Sequence, residues 1–438
     1  MTVVVFGFLY FHQPESQILD TGKDTNFFAN FLPFGDNPDV IPSDINPPTD
    51  VSGYIPEAEI KAPEIRLKKV SSFPIAGFGV FMKERYKDIP TPDKSREETI
   101  SSPSTPESET IKSVLVKPIP PPTEFVPFLR YVEKTTGNIY QTFADKIDER
   151  KFSGTLIPKV YEAFFGNKGE SVIMRYLKQD NQTIETFFGS LPKEYLGADG
   201  GVNEIKGPSF LPENISDMSV SPDFLKIFYL FDLNDFTVGT TLSLATNTKS
   251  QVFDSPFTEW LSSWPNNQMI TITTKPSSAV SGYMYAINPD KKDLNKILGG
   301  INGLTTLTSL DGKIVLYGND NLSLSIFNIN TGNTTPLSIR TLPEKCVWGG
   351  ESNVIYCAVP KFINQESYPD SWYKGEVSFF DEIWKIDTKN GNTIMVLDPI
   401  FADNGESVDG IKLSLDENEN YLFFVNKKDS YLWELKLR

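Results

Sequence analysis

Histidine is almost absent: His12 is the only one among 438 residues. That excludes Ser-His-Asp and Cys-His catalysis and any zinc site that needs two imidazoles. Positive charge is also short. Lys and Arg number 41 against 57 Asp and Glu, a net charge of −16. Such a surface repels phosphate backbones and anionic lipid, so no nucleic-acid partner is expected. Long hydrophobic runs are missing too. The one apolar stretch that could target the chain, residues 2–11, has the length of a helix of about 15 Å, half of a hydrocarbon core. It lacks the basic flank and small-residue cleavage site of a signal peptide. It reads as the remnant of a signal or membrane anchor, or else as a β-strand packed on the body or on a neighbouring copy.

What is present is a core-forming chain with 39% hydrophobic residues. Proline is unevenly spread, with an excess before residue 128. Residues 12–63 form an acidic, Pro-rich linker or arm containing Asn46-Pro47-Pro48, a composition that does not offset its own ordering entropy. Residues 83–124 carry Pro120-Pro121-Pro122 and read as an insertion with polyproline II character.

Beyond residue 126 the texture changes. Short runs of Val, Ile, Tyr, Phe and Thr alternate with turn residues, and no helical period persists. Units recur about every 40 to 50 residues, each opening with a short strand, a polar turn and a strongly apolar strand. Hairpins are expected at Val160–Leu177, Ser216–Phe231, Trp260–Thr274, Leu304–Tyr317, Lys345–Val359 and Gly410–Val425. Third strands follow at Gly282–Ile287, Leu322–Ile329, Glu382–Asp387 and Tyr431–Leu437, and a fourth at Thr393–Leu397. Four antiparallel strands per repeat describe the blade of a β-propeller.

The Ser-Pro-Asp turn at 221–223 and Asp-Gly-Lys at 311–313 resemble those of the WD40-like family and its TolB-type relatives. The similarity spans about residues 64–438 and implies architecture only, since propellers host many unrelated activities. The Gly-His and Trp-Asp dipeptides of WD40 repeats are missing.

The blade count is seven if Phe73–Phe81 supplies the first strand of the first blade. Ile65–Val70 then supplies the fourth strand of the last, joining the two ends of the ring. The fold expected is all-β, a seven-bladed propeller over 64–438 with a Pro-rich N-terminal extension. The alternative is six blades with 64–157 as a separate module.

Cys346 and Cys357 are equidistant from the centre of one predicted hairpin. They would face each other across the strands, as a disulfide or as two buried thiols. With a two-residue loop they would form a hydrogen-bonded pair, the wider kind. A second insertion, 361–381, sets Tyr368, Trp372, Tyr373 and Phe380 among the carboxylates Asp370 and Asp381. Such loops grip sugars or peptides, and equally they pin themselves onto a body. No catalytic residue, metal or cofactor is indicated. Asp232-Leu233-Asn234-Asp235 and Asp416-Glu417-Asn418-Glu419 could bind calcium, but they lack the spacing of a loop ligand set and read as turns, and residues 195–208 read as an inter-strand loop.

The function expected is an extracytoplasmic, membrane-anchored module of the cell envelope that binds a protein or glycan. Two alternatives stay open. One is a carboxylate-dependent glycosidase or lyase at the propeller mouth, marked by carboxylates converging with an Arg there. The other is a self-assembling surface protein that uses residues 2–11.

Overall fold

The computed structural model describes residues 66–87, 121–196 and 201–438. The expectations placed on residues 2–11 and 12–63 lie outside these. The described residues form seven four-stranded antiparallel sheets. The first strand among the described residues, β1 (Leu67–Lys69), belongs to the last blade. Blade 1 is β2 (Ile75–Tyr86), β3 (Thr123–Glu133), β4 (Ile139–Phe143) and β5 (Arg150–Ser153). Blade 2 is β6 (Val160–Gly166), β7 (Ser171–Leu177), β8 (Ile184–Ser190) and β9 (Lys206–Phe210). Blade 3 is β10 (Ile215–Val220), β11 (Lys226–Leu233), β12 (Phe236–Ser243) and β13 (Lys249–Ser255). Blade 4 is β14 (Trp260–Asn266), β15 (Met269–Thr274), β16 (Ser281–Ile287) and β17 (Leu294–Asn302). Blade 5 is β18 (Thr305–Thr308), β19 (Ile314–Gly318), β20 (Ser323–Asn328) and β21 (Thr334–Arg340). Blade 6 is β22 (Cys346–Trp348), β23 (Val354–Pro360), β24 (Asp381–Asp387) and β25 (Thr393–Leu397). Blade 7 is β26 (Gly410–Leu415), β27 (Tyr421–Asn426) and β28 (Leu432–Lys436), with β1 as its outermost strand.

Burial explains why the second strand of each unit is so apolar. A middle strand is covered on both faces by the neighbouring blades, so alternation gives way to continuous runs. β27, Tyr-Leu-Phe-Phe-Val-Asn, is buried at every position but its first. The outermost strand β9 has one face toward water and is mostly exposed. The core is a set of wedges between blades. Ala76 and Val132 meet Ala163 and Met174 between blades 1 and 2. Ile173 meets Ile227 and Tyr229 at the next joint, and Phe228 meets Ile270 at the third. Met284 packs near Val315, Leu316 near Ile355, and Ala358 near Leu422. The seventh wedge places Phe423 and Val425 of blade 7 against Ile75 and Leu129 of blade 1. The ring is therefore closed. Neighbouring innermost strands run so close that a Cβ added at Gly77 would lie 2.0 Å from the Ala163 carbonyl oxygen.

The turns that carry the resemblance are built alike. Ser221 Oγ donates to Asp223 Oδ1 (2.6 Å) and accepts from Lys226 N (2.9 Å). In blade 5, Ser309 Oγ donates to Asp311 Oδ1 (2.6 Å) and accepts from Ile314 N (3.1 Å). Each side chain satisfies backbone groups the hairpin leaves open. Gly312 holds φ +69° there, a region that favours glycine.

Cys346 pairs with Cys357 across β22 and β23, and a disulfide joins them. The loop has four residues rather than two, because Gly349 N closes it on Val354 O (2.8 Å). The alternation then makes the cysteines a non-hydrogen-bonded pair, with Cα atoms 4.0 Å apart, not the wider pair a two-residue loop implies. Two further expectations shift. β2 and β3 continue to Tyr86 and Thr123, so both ends of the 83–124 insertion are paired strand. β9 begins at Lys206, inside the stretch read as a loop.

Candidate functional site

In antiparallel blades, the loops from second to third strand share one face with the blade-to-blade connections. The other two hairpin ends of each blade share the opposite face. The insertion between β23 and β24 lies on the first of these faces and contains a short helix, α1 (Asp370–Tyr373). Tyr368, Trp372 and Phe379 are buried with Leu322 and Leu342. Asp370 accepts from Ser278 N of blade 4 (2.6 Å), and Lys427 of blade 7 donates to the Trp372 carbonyl (2.5 Å). The insertion thus crosses from blade 6 to reach blades 4, 5 and 7.

Beneath it sits a charged group that the sequence reading missed. Lys345, fully buried, places Nζ 2.7 Å from Asp381 and is also bonded to Asp409. Asp409 accepts from Trp372 Nε1 and Phe379 N, both at 3.0 Å. Burial pushes the Asp381 carboxyl up to about 6, Lys345 opposing it. In Asp409 the same burial is outweighed by Lys345 and the surrounding donors, which hold that carboxyl below its ordinary value. Of the six candidate ligand-gripping residues, then, Tyr368, Asp370, Trp372 and Asp381 are engaged in holding the insertion. Tyr373 and Phe380 are 40% and 50% exposed. Tyr373 donates its hydroxyl to Glu344, and Lys428 Nζ stands 3.9 Å from the Phe380 ring centre.

A cavity of about 940 Å³ opens on the opposite face, between the overhanging end of the β2–β3 hairpin and the connection from β8 to β9. Phe81 and Phe128 contribute apolar wall, and Tyr195 and Phe125 stand 74% and 65% exposed at its edge. Lys83, Arg85, Arg130, Arg150, Lys168 and Lys193 line it, against Glu84, Glu170 and Glu194. Arg85 is itself paired with Glu124 (2.8 Å) and Asp145, so the positive charge of the lining lies with Lys83, Arg130, Arg150, Lys168 and Lys193.

The floor is organised around Glu194. Its Oε2 accepts from Lys83 Nζ (2.6 Å) and Gln141 Nε2 (2.8 Å), and its Oε1 from Arg150. Arg130 NH2 lies 3.9 Å away, its guanidinium also bonded to Gln141 and the Gly169 carbonyl. Burial works against the Glu194 charge, but Lys83, Gln141 and Arg150 together hold its carboxyl down at about 2. The same burial brings Arg130 down to about 10. None of these residues stood out in the sequence. The one legible signal was Arg130, a charge inside the apolar run of β3.

A third polar group gathers where the innermost strands begin. Arg175 NH1 lies 2.5 Å from Glu162, and its NH2 donates to the Ile215 carbonyl. Asp217 accepts from Ser262 N (2.5 Å) and Oγ (2.7 Å), and burial pushes its carboxyl up to about 6. Lys412 donates to the Ala76 carbonyl (3.0 Å), and burial lowers its ammonium. Among the described residues, no three His, Cys, Asp or Glu side chains are grouped to hold a metal ion. No helix among them is long and apolar enough to cross a membrane.

No protein-family model matches the chain, and no curated protein matches it. Among solved structures, it is similar to the hydrazine synthase of Kuenenia stuttgartiensis at 13% identity and a TM-score of 0.45, covering 64% of this chain and 76% of that one. It is also similar to an oligogalacturonate lyase in complex with manganese, at 10% identity and a TM-score of 0.45, covering 71% and 85% respectively.

Proposed function

We propose that the ring is a binding module that takes a glycan or protein ligand in the cavity beside blades 1 and 2, outside the cytoplasm and tethered through its N-terminal segment. The observation that carries this reading is the cavity. Its size falls in the range of ligand sites, and it combines apolar wall, exposed aromatic rings and convergent charged donors. The disulfide supports an oxidising compartment. Kinship with WD40-like propellers rests on the two Ser-x-Asp turns. A glycan and peptide array probed with the full chain tests the reading. Binding that a Tyr195→Ala, Phe125→Ala double variant weakens at least tenfold is expected. Binding indifferent to that pair would overturn the assignment to this cavity.

A second reading, carboxylate-dependent cleavage at the mouth of the ring, draws on Glu162 and Asp217 beside Arg175. It predicts hydrolysis or elimination on one of the arrayed glycans that Asp217→Asn abolishes. Cleavage unaltered in that variant would dismiss it.

A further inference from the structure

The cradle around Glu194 has the construction of a receptor with its ligand. Lys83, Arg130, Gln141 and Arg150 stand on β2, β3, β4 and β5, the four strands of one sheet. A sheet holds such groups in fixed relative positions. The carboxylate arrives from elsewhere, on the connection between β8 and β9 of the neighbouring blade. Donors on a rigid surface and an acceptor on a loop are the arrangement by which a site reads an incoming carboxylate.

Lys83 and Arg130 share the Glu194 carboxylate, and Arg130 makes its two other bonds to neutral acceptors, Gln141 and Gly169. Arg130 is 5% exposed, so water does little to screen it. A floor of this kind holds a carboxylate through donors that an incoming anion can take over from Glu194.

The remaining lining decides the class. An acidic peptide such as polyglutamate offers carboxylates but no hydroxyls to donate to Glu84 and Glu170, which share the cavity with the cations. A saccharide offers hydroxyls, which donate to carboxylates as readily as they accept from Lys and Arg. It also offers apolar ring faces, which exposed Tyr195, Phe125 and Tyr86 can cover. A lining of mixed sign with aromatic edges and a cationic floor fits a sugar chain that itself carries carboxylates.

We propose that the floor of this cavity is a subsite for the carboxylate of an acidic saccharide, a subsite that Glu194 itself occupies. The incoming uronate displaces the Glu194 carboxylate from Lys83, Gln141 and Arg150, while its ring faces lie against the aromatic edge. The inference rests on the binding-module reading and gives that module its ligand class.

The test is titration calorimetry on the full chain at low salt with three probes: hexuronate tetrasaccharides, the same sugars with carboxyls reduced to alcohols, and tetraglutamate. Binding of the uronates at least tenfold tighter than of the reduced sugars is expected. Lys83→Gln should weaken uronate binding about tenfold or more. Glu194→Gln should strengthen it about fivefold, because the internal competitor is gone while an amide keeps its size. Melting curves for both variants separate a lost site from a lost fold.

Equal affinity for the reduced sugars would overturn the carboxylate subsite and leave the binding-module reading standing. A preference for tetraglutamate would overturn the saccharide class, and uronate binding that neither variant changes would overturn the subsite at Glu194. No binding to any probe here, or to any member of the array, would overturn both.

Discussion

Lys69 stands opposite Trp433 in the register of β1 against β28, its Nζ 5.0 Å from the indole ring centre. The ring is held shut through such pairs. Leu67, 2% exposed, packs in the same wedge as Trp433 and Leu435. Val70 N donates to the Leu432 carbonyl (2.8 Å), and Ile75 N to that of Ser430 (2.8 Å). Leu67→Asp places a charge in that wedge and should cost about 3 to 5 kcal/mol in urea unfolding. It should also leave β28 as an open edge, so concentration-dependent association by light scattering is expected. A variant with unchanged stability would mean the clasp contributes nothing.

Glu434 supplies a pH dependence. It is 2% exposed, and its Oε2 has no hydrogen-bond partner. Burial raises its carboxyl to about 8, Lys68 opposing and Asp145 and Asp416 reinforcing. The folded state therefore keeps this proton over a range in which the unfolded chain releases it, from the ordinary value of 4.5 up to about 8. Stability should fall as pH rises through that window. Glu434→Gln should match the parent below pH 4.5 and exceed it above pH 8 by up to about 5 kcal/mol. Thermal melts across the window check this, and parallel curves would refute it.

Asp409 ties the blade 6 insertion to blade 7. Asp409→Ala leaves Lys345 with Asp381 alone and removes the acceptor of Trp372 Nε1 and Phe379 N. Breaking a buried ionic group from one side typically costs about 3 to 5 kcal/mol. Limited proteolysis should cut first within residues 361–380 in this variant, while the parent resists there. Cutting spread over other loops would show that the insertion is held by its apolar contacts instead.

The disulfide closes a loop across a sequence separation of 11. On the chain-entropy account, a loop of that size stabilises by about 3 kcal/mol. The Cys346→Ala, Cys357→Ala chain should unfold at correspondingly lower denaturant, and the parent should converge on it in reductant. Equal midpoints with and without reductant would remove the contribution.

How legible was all this beforehand? The blades were legible because their second strands are sandwiched, and sandwiched strands leave an unbroken apolar run between turn residues. The closing strand at Leu67–Lys69 followed from counting edges, since a three-stranded last unit needs a partner. The cysteine pairing followed from symmetry about the hairpin centre. Its spacing did not, because the loop length is set by Gly349 and Val354 closing on each other. The Lys345 group was hidden for a different reason. A lysine before a strand reads as a solvated cap until Asp381, 36 residues on, pairs with it beneath the insertion. The Glu194 cradle draws its donors from four strands and its acceptor from another blade. No local spacing encodes it.

Arg66 bonds to the Lys436 carbonyl across a gap of 370 residues. A chain synthesised from its N-terminus can stack blades 1 to 6 as they emerge, yet β1 must wait, unmated, until β28 has emerged. Completion of the toroid is thus a report that translation has passed β28. A prematurely terminated product would keep most of its wedges and still present a raw seam to whatever quality-control factor inspects it.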